Sequence, residues 1–488
     1  MSSNLAHSAA RGAFFTLGAQ GAKIILQFLS VIVLARLLTP HDYGLIAIVL
    51  VVVGIGEIFR DFGLTSASIQ APTLSTGQRD NLFWINAGIG LLLTAVMYFL
   101  AVPIEAVTRQ PEIVGMVHWL CLLFLLNGLA TQHRANLARD LRFRAMAAID
   151  VSAAAIALTA AVVAALLGAE YWALVIQQLT SGVVVVVGSV LAGRWLPRWY
   201  SRAHSVRALL GFGWNIVATN LLVYAGSQID TVLVGLKFGT TPLGLYNRAY
   251  QLLMTPLTQV RSPMKNVALP VLSRVQQEPA RFDNYVTAAQ LMLGYGLGIP
   301  LVLVTGLSDP IVRIMLGPRW LEAAPILGLF AVAGLLSTIA FVGYWVYLSR
   351  GLGRQLFLYT IVTTLIKAAC IVTGSFFGLI GVAIGFTVAP AISWPLSLFW
   401  LSRVTPMPTA RLYAGAGRIL ALTASVGVVA WAVASTVSSW GSWPMLLVGL
   451  PAGLLTAVAF LILPVYRRDL QNLWTFVRLM LKRQPRTA

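Results

Sequence analysis

Charge is what this sequence has least of. Only 10% of its 488 residues are charged, and 15 residues are acidic. A soluble domain carries about 25% charged residues. With 58% hydrophobic residues and a mean hydropathy of +0.83, no water-facing surface can hide the apolar side chains, so the solvent must be a bilayer. The shortage of acids also excludes a catalytic or metal-binding loop at the membrane surface. Glu105 and Glu112 share one connection, but no His or third acid completes a metal site. Cysteine is nearly absent. Cys121 and Cys370 both fall inside apolar runs, which excludes a disulfide framework and a thiolate metal site and leaves them as small buried hydrophobes. A glycine-rich loop ending in Lys-Ser/Thr is missing, and with it ATP hydrolysis by that route. Neither a selectivity-filter run nor alternating strands of a β-barrel occur. The chain is expected to be no enzyme and to use no cofactor or metal.

Long apolar runs are what the sequence does have. A membrane helix needs about 20 such residues, and about fourteen candidates run from 12–36 to 444–466. The expected fold class is therefore an all-α integral membrane protein of about 14 transmembrane helices. The first run is too long for a signal peptide, and Ala-Arg-Leu-Leu-Thr-Pro follows it where a small-residue cleavage site would stand. Lysine and arginine favour cytoplasmic loops. With the N-terminus inside, 23 of the 34 cations fall on cytoplasmic segments. Five fall outside, namely Arg36, Arg109, Lys237, Arg313 and Arg319. Both termini are expected in the cytoplasm, with an even number of spans. The net charge of +19 then reflects topology and implies no nucleic-acid partner. The tail YRRDLQNLWTFVRLMLKRQPR reads as an interfacial amphipathic helix that touches anionic lipid.

The chain repeats itself. Residues 33–50 read VLARLLTPHDYGLIAIVL, and residues 233–252 read LVGLKFGTTPLGLYNRAYQL. Each runs apolar helix, cation, Thr-Pro, Gly-Leu and a second helix, with Gly44 matching Gly244. Six spans separate the copies, so both have the same orientation, as in parallel-repeat transporters. The expected organisation is a six-helix lobe over 1–193, a basic cytoplasmic linker over 194–208, and a second six-helix lobe over 209–402. Two extra helices follow over 403–466, and a basic amphipathic tail over 467–488. Two lobes that rock against each other give alternating access.

Five stretches carry a resemblance. LARLLTPHDYG followed by FRDFGLTSASIQ at 59–70, then SQIDTVLVGLKFG and LGLYNRAYQL with ALPVLSRVQ, resemble the bacterial polysaccharide transporter family. These are the Wzx-like, colanic-acid-exporter-like flippases of lipid-linked oligosaccharides, within the superfamily that also holds the MATE exporters. The resemblance implies export of undecaprenyl-diphosphate-linked sugar units across the bacterial inner membrane for exopolysaccharide or O-antigen synthesis. It also implies that polysaccharide polymerase and chain-length proteins are partners.

Charges inside the membrane cost about 2.5–3.5 kcal/mol each on insertion scales and normally face a bundle interior or a wet cavity. Lys23 lies near the middle of the first span, with Gln27 one turn later on the same face. Lys367 is central in the span 355–376. Arg248 and Asp230 share a depth on adjacent spans and read either as a salt bridge or as part of a site. Arg261 is a further deep cation. Asp150 either pairs with Lys23 or stands alone and titrates as a proton-coupling site. Glu57, Arg60 and Asp61 at one end of the span 43–62 read as a helix-end charge set or a gate. The candidate substrate-binding residues are thus Lys23, Gln27, Arg248, Arg261 and Lys367. Asp150, Asp230, Glu57, Arg60 and Asp61 are the candidates for ion coupling or gating. Deep cations outnumber deep acids, which suits an anionic diphosphate cargo in a low-dielectric cavity. A MATE-like cation-coupled multidrug exporter is the alternative, and it would call for an acidic cavity instead.

Overall fold

The computed structural model describes residues 2–61, 75–201 and 213–481. Residues 62–70 of the second motif, 202–208 of the expected linker and 482–488 of the tail lie outside the described residues. Every regular element among the described residues is helical. Thirteen helical segments there are long and apolar enough to cross a membrane. The sequence reading counts one more, over 243–264. That run lies in a 35-residue helix, Thr240–Arg274, whose apolar content is diluted by Arg248, Gln251, Gln259 and Arg261.

By packing, the chain divides into two compact units, Met1–Asn247 and Arg248–Ala488. The first holds α1 (Ser2–Leu37), α2 (Pro40–Asp61), α3 (Thr76–Thr108), α4 (Glu112–Leu120), α5 (Leu122–Arg139), α6 (Phe143–Leu166), α7 (Trp172–Gly193) and α8 (Gly213–Phe238). It also holds the first turns of α9 (Thr240–Arg274). Within it α6 packs on α7 and α1, and α5 packs on α3 and α7. Local chemistry sets the helix ends. Ser75 and Gln78 form a reciprocal capping box at the start of α3, with N–H···O distances of 3.2 and 3.1 Å. Arg109 ends α3 in the left-handed conformation, φ 55°. The expected span 113–135 is real but has a joint at Cys121, which separates α4 from α5.

The described part of the expected linker, residues 194–201, is an ordered strap on α3. Asn81 Nδ2 donates to the Ser201 carbonyl at 2.7 Å, and Ser201 N–H donates back to Asn81 Oδ1 at 2.8 Å. Trp84 Nε1 donates to the Arg198 carbonyl at 2.8 Å, and its ring stacks on Trp199 at 5.0 Å. The Arg79 guanidinium lies 4.5 Å over the Trp195 ring. Trp84 therefore spends its indole on the strap.

The second unit holds most of α9, then α10 (Pro279–Gly306), α11 (Ser308–Met315), α12 (Ala324–Ser349), α13 (Gly353–Ser375), α14 (Gly378–Val404), α15 (Thr409–Thr436), α16 (Ser442–Ala459) and α17 (Pro464–Leu481). Its core forms around α12, which packs against α10 and α14. Phe282, Val286, Leu293, Trp345, Val346 and Tyr347 belong to one buried cluster there. Trp345 is thus a core residue. The connection over 307–322 is itself folded, as α11 and a 3-10 turn (Pro318–Ala323) with Trp320 fully buried.

The amphipathic tail is locked to this unit. Arg418 of α15 holds Asp469 of α17 bidentately, Nε–Oδ2 at 2.8 Å and Nη2–Oδ1 at 3.2 Å. Tyr295 of α10 donates its hydroxyl to the same carboxylate at 2.9 Å, and Tyr466 donates to the Arg418 carbonyl at 3.2 Å. Asp469 is buried, and burial pushes the Tyr466 hydroxyl above its ordinary pKa. Removing one partner strands a charge. Asp469→Ala is expected to lower stability by about 2–3 kcal/mol, since hydrogen bonds to charged groups contribute about 1.5–3 kcal/mol. Arg418→Met with Asp469→Leu should lose less, because no charge is left unpaired. Thermal unfolding of the purified chain in detergent checks both.

Candidate functional site

Three polar networks and one close backbone contact distinguish the first unit. The first network joins α1, α5 and α6. Asp150 of α6 lies 3.6 Å from Lys23 Nζ of α1 and 2.7 Å from Arg134 Nη1 of α5. Of the two sequence readings of Asp150, the structure has the paired one, and with a second cation. Lys23, Arg134 and Asp150 all remain partly accessible. A carboxylate held between two cations leaves a net positive site. Gln27 is exposed one turn further along α1, and α1 is tied to α7 through Gln177 Nε2–Ser30 Oγ at 2.8 Å. Arg134 is one of the 23 cations that the topology assigns to cytoplasmic segments. It sits five residues before the end of α5, and Asp150 seven after the start of α6. An antiparallel hairpin brings such positions to similar depth, and that spacing was the available signal.

The second network joins α2 and α5. Glu57 Oε2 accepts from Arg60 Nε at 2.6 Å, and Glu57 Oε1 accepts from Asn127 Nδ2 at 2.8 Å. Arg60 Nη1 donates to Thr131 Oγ1 at 2.6 Å. The helix-end charge set is therefore also an interhelical clamp, with Asn127 and Thr131 as partners the sequence reading missed. Asp61 is partly buried at the last turn of α2. In the third network, Asp230 of α8 is buried and accepts from the Tyr246 hydroxyl of α9 at 2.9 Å.

In the second unit, Arg248 is buried and donates from Nη1 to Gln251 Oε1 at 3.0 Å. Arg261 donates from Nη2 to the Gly334 carbonyl at 2.6 Å and to Ser337 Oγ at 3.2 Å, and it also bonds Thr338 Oγ1. Arg261 thus fastens α9 to α12 in this state. Lys367 Nζ of α13 lies 5.0 Å over the Phe386 ring of α14.

The close contact joins the two similar segments. Helix α2 begins at Pro40 and α9 at Thr240, and Gly44 and Gly244 are the fifth residues of each. A Cβ on Gly44 would lie 1.8 Å from the Thr240 carbonyl oxygen, and one on Gly244 would lie 1.8 Å from the Pro40 carbonyl oxygen. The fifth residue of each copy touches the first residue of the other. Such reciprocity is what a local two-fold relation between copies produces. His41 Nδ1 and Thr240 Oγ1 are 2.7 Å apart across the same seam. Thr39 and Asp42 cap α2 reciprocally, with Asp42 Oδ2 accepting from Thr39 N–H at 2.8 Å and Asp42 N–H donating to Thr39 Oγ1 at 3.3 Å. Farther along α2, the Tyr224 hydroxyl of α8 donates to the Val51 carbonyl at 3.2 Å, where a Cβ on Gly54 would collide with it.

The fold is that of a multi-helix membrane transporter. It is similar to the lipid II flippase MurJ in an inward closed conformation, with a TM-score of 0.69, 14% identity, and coverage of 94% of this chain and 99% of that one. It is also similar to an inward-facing multidrug resistance MATE family transporter of the MOP superfamily, with a TM-score of 0.58, 14% identity, and coverage of 80% and 98%. Among curated proteins, the chain is 25% identical to the lipopolysaccharide biosynthesis protein WzxC of Escherichia coli (strain K12), over 77% of each chain. It is 24% identical to the succinoglycan biosynthesis transport protein ExoT of Rhizobium meliloti, over 72% of each. The polysaccharide biosynthesis protein family matches residues 33–325, more than half of the sequence, and the chain belongs to that family. The matched region contains both copies of the glycine motif and both cations of the α2 seam repeat, Arg36 and Lys237.

Two variants probe this geometry. Gly44→Leu is expected to prevent the α2–α9 contact, since even a Cβ overlaps the Thr240 backbone. In a His41→Cys, Thr240→Cys background, a short thiol cross-linker should join the two positions when Gly44 is present and fail with Leu. Lys23→Ala and Asp150→Ala should be non-additive in thermal stability by about 0.5–3 kcal/mol, as for residues in one network. Strict additivity would show that the pair does not interact in the folded protein.

Proposed function

We propose that the chain is a flippase that moves undecaprenyl-diphosphate-linked oligosaccharide units across the bacterial inner membrane by alternating access, for exopolysaccharide or O-antigen synthesis. Family membership over residues 33–325 carries this reading, and the biosynthetic names of WzxC and ExoT are consistent with it. The physical task fits the fold. Sugar hydroxyls and phosphates cannot cross hydrocarbon without partners. A protein route replaces their water while the tail remains in apolar surroundings.

The repeat lobes over 1–193 and 209–402 supply the moving parts, with both termini cytoplasmic and α9 counted as the fourteenth crossing. The Gly44/Gly244 seam then lies on the outer side. Its reciprocal contact supports a parallel repeat and a seal that opens as access alternates. The diphosphate is met by cations: Lys23 with Gln27 beside it, Arg248, Arg261 and Lys367. Arg134 joins them through Asp150, which holds the two cations of its site in place when cargo is absent. Glu57, Arg60 and Asp61 act at the inner end of α2, and Asp230 beside Tyr246 near the seam, as gating groups. The drug-exporter alternative needs an acidic cavity, and the cationic surplus of the deep positions disfavours it. Polysaccharide polymerase and chain-length proteins are the expected partners.

Lys23→Ala and Lys367→Ala should each abolish polysaccharide export while leaving the level of protein in the membrane unchanged. Normal export by both would remove the cationic route. Deletion of the gene should make undecaprenyl-linked repeat units accumulate on the cytoplasmic leaflet, and an unchanged pool would contradict the flippase reading itself.

A further inference from the structure

The first unit contains two adjoining hollows that none of the charged networks uses. The larger, about 670 Å3, lies between α2 and α8 and is walled by Val51, Ile55, Ile229, Val232 and Leu236, with Gln228 on the wall and Lys237 at one end as its polar side chains besides Tyr224. The smaller, about 350 Å3, lies between α2, the last turns of α3, and α8, and is walled by Ile48, Val52, Pro103, Ile104 and Val107. Val51, Val232 and Leu236 line both, so the hollows flank one shared ridge. Tyr224 sits at the far end of the larger hollow, and its hydroxyl is spent on the carbonyls of Leu50 and Val51. Thirteen residues of α8 separate Tyr224 from Lys237, about 20 Å at 1.5 Å per residue. That is about two-thirds of the roughly 30 Å hydrocarbon thickness. Val232 and Leu236 are exposed, so the ridge is reachable from the side.

Such walls cannot carry the glycan. Sugar hydroxyls entering them would lose water and find almost no partners. What fits is a long hydrocarbon chain whose anionic end lies beside Lys237, at the last turn of α8. Lipid tails are as apolar as these walls, so affinity over the surrounding bilayer must come from shape and from the charge at the end.

We propose that this groove binds the isoprenoid chain of a polyprenyl phosphate, with the phosphate drawn to Lys237. The inference rests on the flippase reading and refines it. The tail of the cargo is held by α2, α3 and α8 once its headgroup has left the deep cationic residues, so the chain is guided rather than left free in the bilayer. In the proposed topology Lys237 is at the outer side, so the groove receives the lipid after its headgroup has crossed.

The test uses the full chain in nanodiscs of zwitterionic lipid, with undecaprenyl phosphate and phosphatidylglycerol as competing probes and native mass spectrometry as the readout. The wild-type chain should retain undecaprenyl phosphate about tenfold over phosphatidylglycerol. Val232→Trp, which fills the hollows on either side of the ridge, and Lys237→Ala should each remove most of that preference. Leu236→Met, close in volume, and Val428→Trp on the exposed face of α15 should keep it. Monodisperse elution of each variant verifies folding. Equal retention of the two lipids by the wild-type chain would show an ordinary lipid-facing groove and overturn the proposal, as would an undiminished preference in Val232→Trp. The two readings fail separately. If Val232→Trp loses the lipid yet exports normally, the groove is off the route and the flippase reading stands. If the wild-type chain selects the polyprenyl lipid yet gene deletion leaves the lipid-linked pool unchanged, the groove stands and the flippase reading falls.

Discussion

Hydrocarbon offers no partner to a charge or a hydrogen-bonding group, and that constraint governs this structure. The described deep charges answer it locally. Asp150 is held between Lys23 and Arg134, and Glu57 between Arg60 and Asn127. Arg261 is spread over a carbonyl and two hydroxyls, and Lys367 lies over an aromatic face. Each arrangement draws its members from different helices or different turns. The polar groups therefore fix which helices neighbour one another, a choice that apolar contacts alone leave open, because lipid tails are as apolar as leucine.

The same constraint explains how a pairing can serve transport. Breaking a buried pair outright is strongly unfavourable, about 3–5 kcal/mol when one partner is removed. Exchanging one anion for another is far less so. Asp150 already presents a carboxylate to Lys23 and Arg134, so under the proposed function a phosphate would meet cations whose position is set.

The membrane spans were legible in the sequence because length and hydropathy decide them, and the capping box at Ser75 and Gln78 is a local signature of the same kind. The joint at Cys121 was not legible, since both flanking segments are equally apolar and the break arises from packing. The ordered strap over 194–201 was read as a linker because Trp, Arg and Pro without periodicity look like one. Its order comes from Asn81 and Trp84, which stand over a hundred residues earlier. Arg134 was missed for a similar reason, since its role depends on the antiparallel register of α5 against α6. The candidate cations were visible individually as charges out of place in apolar runs. Their partners were visible only in three dimensions.

The duplicated glycine motif joins sequence and mechanism most directly. Nothing in a similarity between two segments of the chain requires them to touch. Here they do, and the fifth residue of each helix meets the first residue of the other. A contact made by two glycines brings backbones together without interlocking side chains. Little would therefore have to be unthreaded in the proposed opening, in which the His41–Thr240 pair would exchange partners. Interhelical hydrogen bonds in membranes average about 0.6 kcal/mol, and reversing a two-state population from 1:99 to 99:1 takes about 5.5 kcal/mol. A leucine-packed seam of equal length would carry many more side-chain contacts to break. Small residues at both copies of the motif thus suit the closure proposed for this seam, one that is made and broken as access alternates.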